Sequence, residues 1–135
     1  MKKWIFKLLI ILGLSSTAMA QQSKQIDAVK VEFLTKKLDL SPEEAQRFWP
    51  VFNKYQKEIK QVISQRRAER MSFKNSGGAP VDEIKYESLI LEIRKRYNKD
   101  FLQVLPAQKV AMIYPAEREF REKLIKELGE RRHKQ

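Results

Sequence analysis

Residues able to do chemistry are scarce in this chain, and their spacing decides against most of it. There is one histidine, His133, and no cysteine. A lone imidazole in a basic tail cannot both serve a nucleophile and be oriented, and it cannot supply a two-histidine zinc site. Glu43 with Glu44, or Glu117 with Glu119, could be cast as acid/base pairs, but helix neighbours one or two apart point in different directions. Gly77-Gly78 has neither the spacing nor the following lysine of a phosphate-cradling loop. Met71 and Met112 are the only methionines beyond residue 20, too few for a thioether copper site. The expectation is a protein that is not an enzyme and needs no metal or cofactor.

What the chain does carry is clustered positive charge. Arg66, Arg67, Arg70 and Lys74 follow one another closely, and Arg94, Lys95, Arg96 and Lys99 form a second group. Arginine binds carboxylates while its stem lies on apolar surface. These residues are therefore the candidates for holding a polypeptide client or a protein partner. The ordinary reading of any one of them is a solvated charge that keeps the protein soluble.

The ends of the sequence set the compartment. Lys2, Lys3 and Lys7 make a positive segment, Leu8 to Leu14 an apolar run, and Ala18-Met19-Ala20 a small-x-small site. That order is expected of a secretory signal peptide over residues 1–20, cut between Ala20 and Gln21. The apolar run falls short of the ~20 residues of a bilayer span. Without cysteine, lipoprotein attachment is excluded. Residues 21–135 then form a single domain, with 25 basic and 17 acidic residues and a formal balance of +8. Such a balance favours acidic partners, whether polypeptide or anionic membrane surface. An exported protein rarely meets nucleic acid, so none is expected.

The elements that must position these charges read as helices almost throughout. Ile26, Val29, Phe33 and Leu34 share one face of a first helix near residues 24–37. A second starts at Ser41 and carries Ala45, Phe48, Trp49, Phe52, Tyr55, Ile59, Val62 and Ile63 at spacings of three and four. Asn75-Ser76-Gly77-Gly78 is a loop. A third, from about Pro80 to Leu105, has the stripe Tyr86, Ile90, Ile93, Tyr97, Phe101 and Val104. A fourth begins at Pro106 with Val110, Ile113, Phe120, Leu124 and Leu128. Such stripes are the ordinary way a helix buries itself.

Two short stretches share an unusual grammar. In LDLSPEEAQRFWPVF, Ser41 is an N-cap, Pro42 takes the first helical position, and Glu44 completes a capping box. In VLPAQKVAMIYPAE, Pro106 repeats that position and Gln108 lies nearby, but Leu105 offers no side-chain oxygen. Each stretch then places a second proline, Pro50 or Pro115, directly after an aromatic, Trp49 or Tyr114. A proline inside a helix costs about 3 kcal/mol. Two of them predict bends; the alternative is a break between two short helices.

Leu40-Ser41-Pro42-Glu43-Glu44 resembles the LTxxQ motif of the Spy- and CpxP-like periplasmic proteins, with serine for threonine and glutamate for the final glutamine. Leu105-Pro106-Ala107-Gln108-Lys109 resembles a second copy, with the glutamine one place early. The longer run LDLSPEEAQRFWPVFNKYQKEI, with EIRKRYNKDFLQVLPAQK and EREFREKLIKEL, is similar to a Bacteroidota branch of that family described as a sensor of ECF-type sigma factors. The resemblance implies an all-α fold, a four-helix bent hairpin pairing into a cradle-shaped homodimer in the periplasm. It also implies ATP-independent binding of unfolded proteins, or of a regulatory partner in an envelope stress response. A dedicated regulator of an ECF sigma/anti-sigma system and an anionic membrane-surface binder are the alternatives.

Overall fold

The computed structural model describes residues 27–134. The segment expected to be a signal peptide, and its expected cleavage site, lie outside them. Among the described residues the fold is all-α with four helices: α1 over residues 27–37, α2 Pro42–Ser76, α3 Glu83–Val104 and α4 Ala107–His133.

The start of α2 is built as its sequence dictates. Ser41 Oγ accepts from the Glu44 N–H at 3.1 Å, and Glu44 Oε1 accepts from the Ser41 N–H at 3.1 Å. A cap of this kind is worth about 1 kcal/mol. The preceding turn puts Asp39 in the left-handed region at φ 48°, which aspartate tolerates better than most residues. α2 ends at Gly77, whose φ of 65° suits glycine and whose N–H reaches the Phe73 carbonyl at 2.9 Å.

Two boundaries shift from the sequence reading. α3 starts at Glu83, not at Pro80, because Asp82 caps it by accepting from the Lys85 N–H at 3.0 Å. α4 starts one residue after Pro106, whose carbonyl accepts from the N–H groups of Lys109 and Val110. Leu105, which lacks a capping oxygen, instead ends α3 with an extended backbone and a buried side chain.

Neither internal proline breaks its helix. Pro50 lies within α2 and Pro115 within α4. Both are exposed, and so are Gln46 and Ala111, the residues whose carbonyls lose an N–H partner. Water can satisfy those carbonyls, which spares each proline the cost of a buried unpaired oxygen.

The chain divides into two compact units. One joins the residues before Asp39 to those from Ile113 on. Its core holds Leu34, Leu38, Ile113, Ala116 and Phe120, with the Phe33 and Phe120 rings 5.6 Å apart. Glu117 is buried there, 3.7 Å from Lys30. Val29, expected on the buried face of α1, is exposed, and so is Leu128 on α4. The second unit is Asp39–Met112, where α2 and α3 form a hairpin. Phe48, Phe52, Tyr55, Ile59 and Val62 of α2 are buried, as are Tyr86, Ile93, Tyr97 and Phe101 of α3. Phe101 meets Phe48 at 5.7 Å and Tyr55 at 5.6 Å between ring centroids.

Candidate binding surface

The two basic clusters both fall on the α2–α3 hairpin, but most of their members are already engaged. Arg70 reaches Glu83 with Nη2 at 2.6 Å and Nε at 2.9 Å, and Arg66 approaches the same carboxylate at 3.6 Å. Arg96 holds Glu58 through Nη2 at 2.7 Å. Arg94 is half-buried. These arginines tie α3 to α2 or lie in the packing, and only Arg67, Lys74 and Lys99 of the candidate set are exposed without an ion pair among the described residues. The two basic clusters are thus divided between charges held by carboxylates or packing and charges left exposed.

The structure also shows what the sequence reading missed. Tyr97 donates to Glu58 Oε1 at 2.7 Å while Arg96 holds the same carboxylate. Eleven residues along, Lys85 Nζ lies 3.3 Å from Glu69 Oε1, and the neighbouring Tyr86 acts on the same carboxyl. The arrangement is one device used twice: a glutamate on α2 gripped by a basic-tyrosine pair on α3. The signal was present as Lys85-Tyr86 and Arg96-Tyr97, spaced by three helical turns.

The electrostatics follow from the contacts. The Arg96 hydrogen bond, then that of Tyr97, holds the Glu58 carboxyl below the usual range. The Tyr86 hydrogen bond does the same for Glu69, with Lys85 adding to it. Burial, then the Glu58 carboxylate, pushes Tyr97 up to about 12. Glu44, at the capping box, is lowered chiefly by Lys109, whose Nζ lies 2.7 Å from its Oε1. Lys109 also donates to the Asp39 carbonyl. So Leu40-Ser41-Pro42-Glu44 and Leu105-Pro106-Gln108 sit at helix junctions, and their roles in the structure are capping and joining.

Between the two clamps an open groove of about 240 Å³ runs along the hairpin. Val62, Leu89 and Ile93 supply its apolar lining, and Glu58, Glu92 and Arg96 its charges. A second hollow beside it is lined by Glu92, Lys95, Arg96 and Lys99. Leu89 is 41% exposed, so apolar surface is open to a ligand beside the cations. The groove can hold an extended or helical polypeptide segment by apolar contact and charge. Among the described residues no group of three or more His, Cys, Asp or Glu is placed to hold a metal ion. No described helix is long and apolar enough to cross a membrane. No family model, curated protein or solved structure matches this chain.

Proposed function

We propose that this chain is a periplasmic, ATP-independent binder of unfolded polypeptides, working in an envelope stress response. The observation that carries the reading is the open α2–α3 groove, where Leu89 and the adjoining Lys99 offer apolar and basic contact together. Such a surface is unselective for sequence and needs no nucleotide. Unfolded chains present both apolar side chains and carboxylates, and the groove complements both.

A homodimer belongs to the same proposal. On α3, Leu91 and Leu102 lie on the side opposite the buried Tyr97 and Tyr86, and they are 50% and 45% exposed. A two-fold partner laid against that side would cover them.

The test is suppression of aggregation for two clients of unrelated sequence. Protection of both, weakened but not abolished by salt, is expected, because screening shortens the reach of exposed charge to ~8 Å while apolar contact remains. Leu89→Ser with Lys99→Gln should reduce protection of both clients without loss of helicity. A chain that protects neither client but captures a single regulatory protein would be a dedicated regulator, and the polypeptide-binding reading would fall.

A further inference from the structure

The tip of the hairpin differs from the groove in shape and in the state of its charges. Every residue from 67 to 80 is exposed. A stretch with no buried position has no walls, so it is convex and cannot enclose a client. Yet it is not purely polar. Ile63, Arg67, Met71 and Lys74 fall at i, i+4, i+8 and i+11, which places them on one side of α2 over about 16 Å. Met71 is 53% exposed and Ile63 37%. Apolar and cationic residues alternate along this edge.

The charges here also stand apart from their neighbours. Arg66 and Arg70 are drawn to Glu83, and Lys85 to Glu69. Arg67 and Lys74 have no acidic partner among the described residues. A convex edge with unneutralised cations and bulky apolar side chains needs a partner that is negative at its surface, apolar beneath and able to conform.

We propose that this edge docks on an anionic lipid bilayer, with Arg67 and Lys74 at the phosphate layer and Ile63 and Met71 entering below it. The vertical order suits the side chains: long basic stems reach up to headgroups while their methylenes, and the aliphatic and thioether groups, stay in the acyl boundary. The inference is independent of the client-binding reading, which concerns the groove.

The test uses the chain from Gln21 on, which retains every described residue, with phosphatidylcholine vesicles made with or without phosphatidylglycerol. Co-sedimentation is expected only with phosphatidylglycerol present. Arg67→Gln with Lys74→Gln should weaken it about 25-fold, at roughly fivefold for each cation close to an anionic surface. Ile63→Ser with Met71→Ser should remove the binding that survives high salt. Met71→Trp should give a blue shift in difference emission on the same vesicles. Arg118→Gln with Arg121→Gln, exposed cations on α4, should bind as the parent does. Circular dichroism confirms that each variant keeps its helices. The proposal is overturned by equal binding to neutral vesicles or by no binding at all. It also fails if the Arg118/Arg121 variant loses as much as the Arg67/Lys74 variant. Binding of polyglutamate, but not of vesicles, with the same dependence on Arg67 and Lys74 would assign the edge to acidic polypeptide instead.

Discussion

The two halves of the α2–α3 hairpin use one helix face for opposite purposes. From Phe48 to Val62 the α3-facing side of α2 is aromatic and aliphatic, and fully buried at Phe48 and nearly so at Phe52 and Tyr55. Beyond Val62 the same line continues as Arg66, Glu69, Arg70 and Phe73, where side chains are charged or exposed. The lower half is held by burial, which is strong and indifferent to salt. Apart from the buried Tyr86, the upper half is held by ion pairs on the surface, which contribute little. The difference teaches that a hairpin can be anchored at one end and leave the other free to meet a partner.

The largest effect that would sharpen this contrast is loss of an aromatic at the base. Phe101→Ala removes a ring packed against Phe48, Phe52 and Tyr55 and should cost about 3–5 kcal/mol in chemical denaturation. A loss below about 1 kcal/mol would mean that the anchor lies elsewhere.

Midway along, the Glu58 clamp mixes burial with charge. Tyr97→Phe should cost about 1 kcal/mol, as the loss of a hydrogen bond to a carboxylate. The pH dependence carries its signature. Tyr97 titrates at about 12 when folded and 10.0 ordinarily, so its contribution is whole below pH 10 and is lost as pH rises toward 12. The lowered Glu58 and Glu69 carboxyls act in the other direction. Their contribution is present above the unfolded value of 4.5 and disappears as pH falls through their folded values. A parent protein whose midpoint is flat from pH 8 to about 12 would contradict the clamp. Tyr97→Phe should flatten the alkaline limb alone.

The smallest effect belongs to the tip. Arg70→Gln breaks an exposed pair with Glu83 and should change stability by no more than about 0.5 kcal/mol. A loss as large as that of Phe101→Ala would erase the distinction between the two ends.

What could be read from the sequence was what is local. The Ser41–Glu44 box lies within four residues, and its hydrogen bonds are those the residue types demand. The stripes of α2 and α3 were equally legible, because helical period alone selects the buried face. The clamps were not, since Glu58 meets Tyr97 across 39 positions and that pairing depends on the register of two helices. For the same reason Arg66, Arg70 and Arg96 looked like open cations, although acidic side chains on the facing helix take them up. The two prolines left bend and break open, because whether a freed carbonyl meets water depends on which side of the helix it faces.

The repeated clamp has a consequence for how the hairpin finds its alignment. Glu58 and Glu69 are eleven residues apart, and so are the tyrosines that grip them. A slide of α3 by three turns would present Tyr97 to Glu69 and rebuild one grip with the wrong partner. Polar pairs repeated at equal intervals therefore cannot by themselves tell the right alignment from its displaced copy. That choice falls to an unequal feature, the Phe48–Phe101 contact, which has no second copy three turns away. Residues 77–82, when extended, are long enough to follow such a slide, so the aromatic base is the arbiter of which glutamate meets which tyrosine.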